Sequence, residues 1–136
     1  MLTISRKFDF AAAHYLPDYD GPCSRVHGHN YELEVIVAGT PVQTGPKAGM
    51  ILDFSILKKV VEEKILSRLD HENLNKFFSN PTTEIICQWM FFDLKPEIEA
   101  LGKSERHPRQ ANGDIKLVSV KLSESPDKTN AEFSEG

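Results

Sequence analysis

Cysteine is scarce in this sequence: a chain of 136 residues has only Cys23 and Cys87. Small secreted domains that depend on disulfides carry more cysteines than this, so a disulfide framework is excluded. We expect both thiols to be reduced, as they are in cytoplasmic proteins. Cys87 lies in the apolar run EIICQWMFF and is predicted to be a buried small hydrophobe, whereas Cys23 follows Gly21 and Pro22 and is predicted to be accessible.

The sequence also lacks long apolar runs and an excess of positive charge. No stretch is long enough to span a bilayer, and the N-terminal MLTISRKFDF lacks the apolar centre of a signal peptide. The formal net charge is −4, and there is no basic run of the kind that binds nucleic acid or a membrane surface. Residues 1–136 are therefore predicted to form one cytoplasmic domain with a buried core and with neither a nucleic-acid nor a membrane partner.

Two segments alternate between apolar and polar residues, as β-strands with one buried face do. In RKFDFAAAH, every second residue from Phe8 to His14 shares one face. In HGHNYELEVIVAG, His27 and His29 share a face with the apolar residues that follow them. A third strand, IKLVSVKLSE, lies near the C-terminus, and the segment around Ala131 can add a short last strand.

Between the second and third strands, the spacing of apolar residues changes to that of amphipathic helices. FSILKKVVEEKILSRL follows Asp53, a plausible N-cap, and repeats apolar residues every four positions. A second helix begins at NPTTE, where Thr82 or Thr83 can cap it, and Pro96 is expected to kink or end it. The order of elements predicts an α+β fold with an antiparallel sheet and its helices on one face. The apolar side of the second helix is predicted to consist of Ile85, Ile86, Trp89, Met90 and Leu94.

Three of the five histidines lie within one short part of the chain, at positions 14, 27 and 29. His27 and His29 project to the same face of an extended strand, and His14 lies beside His27 if the first two strands pair antiparallel. Three neutral imidazoles on one Zn²⁺ leave a fourth tetrahedral position open, as in catalytic sites. One alternative is iron with two histidines and a carboxylate from Glu32 or Glu34, although both are predicted to face the opposite side. Ordinary surface histidines are the other alternative.

Other polar residues near these strands can take part in chemistry. Cys23 is close to the histidines in sequence, and a thiol beside a cation ionises more easily. Asp70 can orient the imidazole of His71, although the helix dipole alone favours a histidine at a helix C-terminus. Glu124 has the parity of the apolar residues in its strand, which predicts that its carboxylate turns inward. There it can accept two hydrogen bonds from the amidine-like edge of a pterin or guanine ring.

Six segments occur in the order found in the 6-pyruvoyl-tetrahydropterin synthase superfamily: FDFAAAH, CSRVHGHNYELEV, GMILDFSILK, LDHENLN, NPTTE and VSVKLSES. The sequence resembles that superfamily from Phe8 to Glu124. Its C-x-x-x-H-G-H spacing is most similar to the bacterial branch, 6-carboxy-5,6,7,8-tetrahydropterin synthase of the queuosine pathway. The resemblance implies the tunnelling fold, a four-stranded antiparallel sheet with two helices inserted after strand 2. It also implies trimers that stack as hexamers, with active sites at subunit interfaces.

The resemblance further implies a reaction and roles for individual residues. The substrate is 7,8-dihydroneopterin triphosphate, and the products are 6-carboxy-tetrahydropterin, acetaldehyde and triphosphate. The cofactor is Zn²⁺, and no nicotinamide is needed. The implied zinc ligands are His14, His27 and His29; the implied catalytic residues are Cys23 as general base and Asp70 with His71 as proton relay; the implied substrate-binding residues are Glu124, Thr82 and Thr83.

Two other functions are compatible with the same residues. The fold and metal can instead give the pyruvoyl product by triphosphate elimination alone. A non-catalytic pterin- or purine-binding module is the third interpretation, but such a binder needs none of Cys23, Asp70 and His71. The polar stretch GKSERHPRQANG is predicted to be a solvated loop. Candidate cations for the triphosphate are Lys103, Arg106, His107 and Arg109 in this loop, and Arg25 and Lys47 elsewhere.

Overall fold

The chain folds as an α+β protein with two main helices. The computed structural model describes residues 1–103, 115–124 and 128–136. The strands are β1 (Thr3–His14), β2 (His27–Ala38), β3 (Glu72–Asn73), β4 (Lys116–Glu124) and β5 (Thr129–Ser134). The helices are α1 (Phe54–Val61), which continues through a π-helical segment (Glu62–Leu66) into α2 (Ser67–Leu69), and α3 (Thr83–Ala100).

The five strands form one mixed sheet in the order β3-β1-β2-β4-β5. As predicted, β1, β2, β4 and β5 pair antiparallel with one another. The prediction of a four-stranded, wholly antiparallel sheet is wrong at one edge, because Glu72 and Asn73 pair in parallel with Ala12 and Ala13. A segment of two residues is too short to show an alternating pattern, so its sequence does not reveal this strand.

One face of the sheet is apolar and shares a single hydrophobic cluster with the helices. In β2, Leu33 and Val35 are fully buried, whereas the alternating Glu32 and Glu34 are only partly buried and lie on the other face. Burying one such aliphatic side chain contributes about 1.5–3 kcal/mol. A slip of one residue in strand register would move this whole set of side chains to the wrong face. The apolar alternation therefore also fixes which residues of β1 and β2 lie opposite each other.

The first helix begins as predicted, at Asp53. The Asp53 side chain accepts a hydrogen bond from the backbone N–H of Ser55, and Lys47 forms an ion pair with the same carboxylate. Apolar residues at every fourth position along this helix are fully buried, which confirms the predicted periodicity. They are Leu57, Val61, Ile65 and Leu69.

The second helix is capped by Thr82, whose hydroxyl accepts a hydrogen bond from the backbone N–H of Ile85. It does not end at Pro96 but continues to Ala100. The predicted apolar side is correct except for Ile85, which is 42% exposed. Buried residues of this helix recur four apart on the side facing the core: Ile86, Met90, Leu94 and Ile98. None of the helices within the described ranges has the length and apolar character that crossing a membrane requires.

The two cysteines occupy different environments, as predicted. Both thiols are free; Cys87 is 1% exposed, whereas Cys23 is partly exposed in the short turn Pro22–Ser24. Burial raises the pKa of the Cys87 thiol to about 11. Cys87 is therefore a core residue, and Cys23 is the thiol that remains accessible for chemistry.

Candidate metal centre and active site

Three histidines converge at one end of the sheet. His14 ends β1 and lies directly opposite His27, the first residue of β2, and His29 follows two residues later on the same face. The ring centroids of the three imidazoles are 4.6–5.0 Å apart. One nitrogen from each ring lies within 4.8 Å of the others. The arrangement can therefore bind a single metal ion.

Backbone carbonyl groups fix the orientation of two of these rings. Nδ1 of His14 lies 2.7 Å from the carbonyl oxygen of Pro81, and Nδ1 of His27 lies 2.7 Å from that of Arg25. A carbonyl oxygen only accepts hydrogen bonds, so each Nδ1 carries the proton and donates it. The lone pair is then on Nε2, as in metal sites where a backbone carbonyl accepts the proton of the histidine's other ring nitrogen.

The Nε2 atom of His27 is buried and has no hydrogen-bond partner among the described residues. A buried nitrogen with an unused lone pair costs free energy, which a bound cation would relieve. Burial is the main cause that lowers the pKa of His14. The charges of His27 and His29 act in the same direction, whereas the hydrogen bond with Pro81 and the charge of Glu124 oppose the shift. The neutral imidazole, which is the form that binds metals, is thus favoured at His14. These donors fit a tetrahedral Zn²⁺ with one open position.

The carboxylates considered for an iron site lie elsewhere. Glu32 and Glu34 line a small polar cavity on the opposite face of the sheet, where Glu32 is 3.7 Å from Lys7. The carboxylate that approaches the histidines is that of Glu124, whose Oε2 lies 3.8 Å from Nε2 of His29.

Glu124 turns inward, as its parity predicted. It is the last residue of β4 and lies opposite Tyr31 of β2. The hydroxyl of Thr83, the first residue of α3, donates a hydrogen bond to Oε1 of Glu124. This contact holds the carboxylate at the junction between the sheet and the N-terminus of the helix.

A cavity of about 660 Å³ brings most of the predicted site residues together. Besides the three histidines, its walls contain Cys23, Thr82, Thr83 and Glu124. Sequence reasoning missed two contributors. The carbonyl of Pro81 orients His14, and the ring of Tyr19 lines the cavity near Cys23. The position of a backbone carbonyl cannot be predicted from a sequence pattern. The tyrosine among the turn residues of LPDYDGPCSR, in contrast, is a sequence feature that could have indicated a residue of the site.

Asp70 and His71 are not in this cavity. His71 lines a second groove beside β3, which has His29 in common with this cavity, and Asp70 Oδ1 accepts a hydrogen bond from the backbone N–H of Ala11. The backbone N–H of His71 donates to the carbonyl of Ala11, and φ of His71 is +62°. Nδ1 of His71 is 3.0 Å from Asp70 Oδ1, and its side chain is 82% exposed. The pair is fixed to β1 and presents an imidazole outward.

The predicted triphosphate contacts are only partly within the described residues. Arg106, His107 and Arg109 lie outside them, as does the side chain of Lys103. Lys47 is paired with Asp53, and Arg25 does not line the cavity that contains the histidines.

An α+β protein that gathers three imidazoles able to bind a metal ion at one end of its sheet, in a cavity that a free thiol also lines, has the features of a metalloenzyme. Comparison with known proteins specifies the family. The chain belongs to the 6-pyruvoyl tetrahydropterin synthase family, whose model matches residues 3–135. It is an enzyme of the 6-carboxytetrahydropterin or 6-pyruvoyltetrahydropterin synthase type, a lyase.

Individual relatives agree with this assignment. The chain is 40% identical over 98 residues to the 6-carboxy-5,6,7,8-tetrahydropterin synthase of Synechocystis, covering 70% of this chain and 76% of that protein. It is 38% identical over 115 residues to the dihydroneopterin monophosphate aldolase of Pyrococcus furiosus, covering 85% and 81%. The structure of 6-pyruvoyl tetrahydropterin synthase from Caenorhabditis elegans superposes with a TM-score of 0.74 at 29% identity, covering 99% of this chain and 96% of that one.

Proposed function

We propose that the protein is a zinc-dependent lyase that converts 7,8-dihydroneopterin triphosphate and water to 6-carboxy-5,6,7,8-tetrahydropterin, acetaldehyde and triphosphate. The observation that carries this proposal is the shared cavity. In it, the unpartnered Nε2 of His27 and two further imidazoles lie beside the Cys23 thiol and the Glu124 carboxylate. The C-x-x-x-H-G-H spacing and the Synechocystis relative support the carboxy product. We place this reaction in the cytoplasm, in queuosine biosynthesis.

Glu124 is the residue that binds the pterin ring. Its carboxylate accepts hydrogen bonds from the ring N–H and amino group, a bidentate interaction that selects the amidine-like edge of the heterocycle. In the free protein, Thr83 already donates to Oε1, which holds the carboxylate in place before substrate arrives. Thr82 lies on the same wall and closes the pocket around the ring.

His14, His27 and His29 hold the zinc ion. When bound, such an ion lowers the pKa of hydroxyl groups that coordinate it. Cys23 lies on the wall of the same cavity and removes a proton from the carbon chain of the substrate. Because Cys23 is partly exposed and is not among the clustered metal donors, its sulfur is free to act as a base.

His71 returns a proton, and Asp70 orients its ring. Neither residue lines the Cys23 cavity of its own chain; His71 lines the groove beside β3 instead. They reach a substrate only if a second copy brings its Cys23 cavity against the groove beside His71. The proposed assembly is therefore a homo-oligomer, a hexamer built from two trimers, with each site formed between copies.

One further reaction is favoured by a specific observation. The Pyrococcus furiosus relative, which aligns over more of this chain than the Synechocystis relative does, is named as an aldolase of dihydroneopterin monophosphate. An aldolase would use the same histidines and the same pterin anchor but would break the carbon chain without eliminating triphosphate. The pyruvoyl product is the remaining alternative, and a non-catalytic pterin-binding module conflicts with membership in a family of synthases.

The experiment that tests the proposal supplies each candidate substrate separately to the purified, zinc-loaded protein and identifies the products by mass. Acetaldehyde and a carboxy-tetrahydropterin from dihydroneopterin triphosphate support the proposed reaction. A pyruvoyl compound without acetaldehyde contradicts it in favour of the pyruvoyl synthase. Cleavage of dihydroneopterin monophosphate together with inertness toward the triphosphate favours the aldolase. If both compounds stay unchanged, the proposal of a catalytic function is wrong.

A further inference from the structure

Three residues of the loop between β1 and β2 line the cavity: Leu16, Tyr19 and Cys23. It is closed by a hydrogen bond of 2.7 Å from the backbone N–H of Leu16 to the carbonyl of Cys23. Within it, Asp18 adopts a left-handed conformation with φ of +63°, which aspartate tolerates better than most residues. The chain then reverses so that Tyr19 and Cys23 line the same cavity.

The glycine at position 21 is explained by a close contact with a side chain and not by its backbone conformation. Its backbone is extended, with φ of −131° and ψ of −170°, a conformation that any residue can adopt. A Cβ atom at this position, however, would lie 2.6 Å from Cε1, 3.2 Å from Cζ and 3.4 Å from Cδ1 of Tyr19. One edge of the tyrosine ring therefore occupies the space that any other residue at position 21 would need. The ring of Tyr19 can keep this position only with glycine at position 21, because a larger residue would push the exposed side chain aside; the backbone torsion angles set no such limit.

The ring that Gly21 accommodates is not part of the hydrophobic core. Tyr19 is 48% exposed, and its exposed surface contributes to the cavity wall. A large aromatic side chain that is seated against the backbone and left open on the cavity side loses little conformational freedom when it meets a ligand.

The composition of the cavity wall indicates which part of a substrate meets this ring. Among the described residues that line the cavity there are three glutamates, Glu84, Glu124 and Glu132, and there is no lysine or arginine. This part of the wall offers no lysine or arginine to a phosphate group, so we assign it to the uncharged heterocycle. Aromatic rings bind such planar heterocycles by offset stacking.

We propose that Tyr19 is a substrate-binding residue that stacks its ring against the pterin heterocycle, and that Gly21 sets the position of the ring. This inference rests on the proposed function, because it assigns a pterin to the same cavity. Stacking depends on the ring and not on the hydroxyl, so Tyr19→Phe retains binding. Removing the ring weakens binding about 10-fold, in line with the usual contribution of a heterocycle stacked on an aromatic side chain.

The test measures the affinity of the zinc-loaded, full-length protein for 7,8-dihydroneopterin by isothermal titration calorimetry. This probe has the heterocycle and no phosphate. We expect Tyr19→Phe to bind like the wild type, and both Tyr19→Ala and Gly21→Ala to bind about 10-fold more weakly. In the Tyr19→Ala background, adding Gly21→Ala should cause no further loss, because the clashing ring is gone. Phe77→Ala is the matched control, since Phe77 is 45% exposed and does not line this cavity.

Three results would overturn the inference. The first is wild-type affinity in Tyr19→Ala, and the second is an equal loss on Gly21→Ala with and without the tyrosine ring. The third is weak binding by Tyr19→Phe, which would assign the role to the hydroxyl. Bound zinc and the thermal midpoint of each variant are measured alongside, and both should match the wild type. If the wild-type protein binds zinc but does not bind dihydroneopterin, the proposed function itself is contradicted. This result is distinct from the other three.

Discussion

His14 and His27 lie directly opposite each other at adjoining ends of β1 and β2, with ring centroids 4.6 Å apart. The register that places them there is fixed by the buried alternation along both strands, so the pair is a consequence of the core. We predict that His27→Ala lowers bound zinc from one ion per chain to almost none, because it removes the Nε2 atom that has no hydrogen-bond partner in the described part of the chain. The measurement is metal analysis after dialysis against a weak chelator.

The control for this prediction is His71→Ala, which removes a histidine that is not part of the three-histidine cluster and does not line its cavity. That variant should keep its zinc. Full zinc occupancy in His27→Ala would show that the three histidines do not form the metal site.

Replacing Cys23 can show whether its thiol binds the metal or acts as a general base. Cys23→Ala should retain the full amount of zinc and lose product formation by at least about 100-fold, the usual contribution of a positioned general base. Zinc content and product yield are measured on the same sample. Loss of the metal in this variant would mean that the sulfur is a ligand, and the role proposed here would be wrong.

Much of this site follows from simple sequence patterns. Residues of one parity lie on one face of a strand, which was enough to place His29 beside His27 and to turn Glu124 inward. The pattern could not locate β3, since two residues carry no periodicity. It could not reveal the role of Gly21 either, because a glycine is compatible with turns, positive φ and close contacts alike. Side-chain patterns also cannot predict the role of Pro81, because it contacts His14 through its backbone carbonyl.

The location of His71 leads to a prediction about assembly. If Cys23 and His71 act on one substrate from different copies, neither Cys23→Ala nor His71→Ala alone is active. Mixing the two variants under conditions that exchange subunits should restore about a quarter of the wild-type activity, because one random pairing in four joins two intact residues. The measurement is product formation before and after exchange.

Each variant incubated alone through the same exchange protocol is the control for the mixing experiment. Activity that stays absent after verified exchange would indicate that each site uses Cys23 and His71 of a single chain. The groove beside His71 would then have no role in completing a neighbouring site.

Asp53 caps the N-terminus of α1 and forms an ion pair with Lys47 in the loop before that helix. Its carboxylate accepts hydrogen bonds from the N–H and the hydroxyl of Ser55 and is paired with Lys47. The Lys47 contact, followed by those with Ser55, holds the pKa of Asp53 well below its usual range. A carboxyl group with a lowered pKa in the folded state stabilises the protein above its unfolded-state pKa of about 3.9. That contribution is lost as the pH falls through the folded-state value.

We therefore predict that Asp53→Ala lowers the free energy of unfolding at pH 7 by about 1–2 kcal/mol, because the helix loses its N-cap. Asp53→Asn keeps the cap and loses only the charge, and since Lys47 is 37% exposed the cost should stay below about 1 kcal/mol. Urea unfolding of both variants at pH 7 and pH 3 measures these differences. The gap between wild type and Asp53→Asn should narrow at pH 3, where the wild-type carboxylate contributes less. A gap that widens on acidification would mean that the Lys47–Asp53 pair does not stabilise the folded protein.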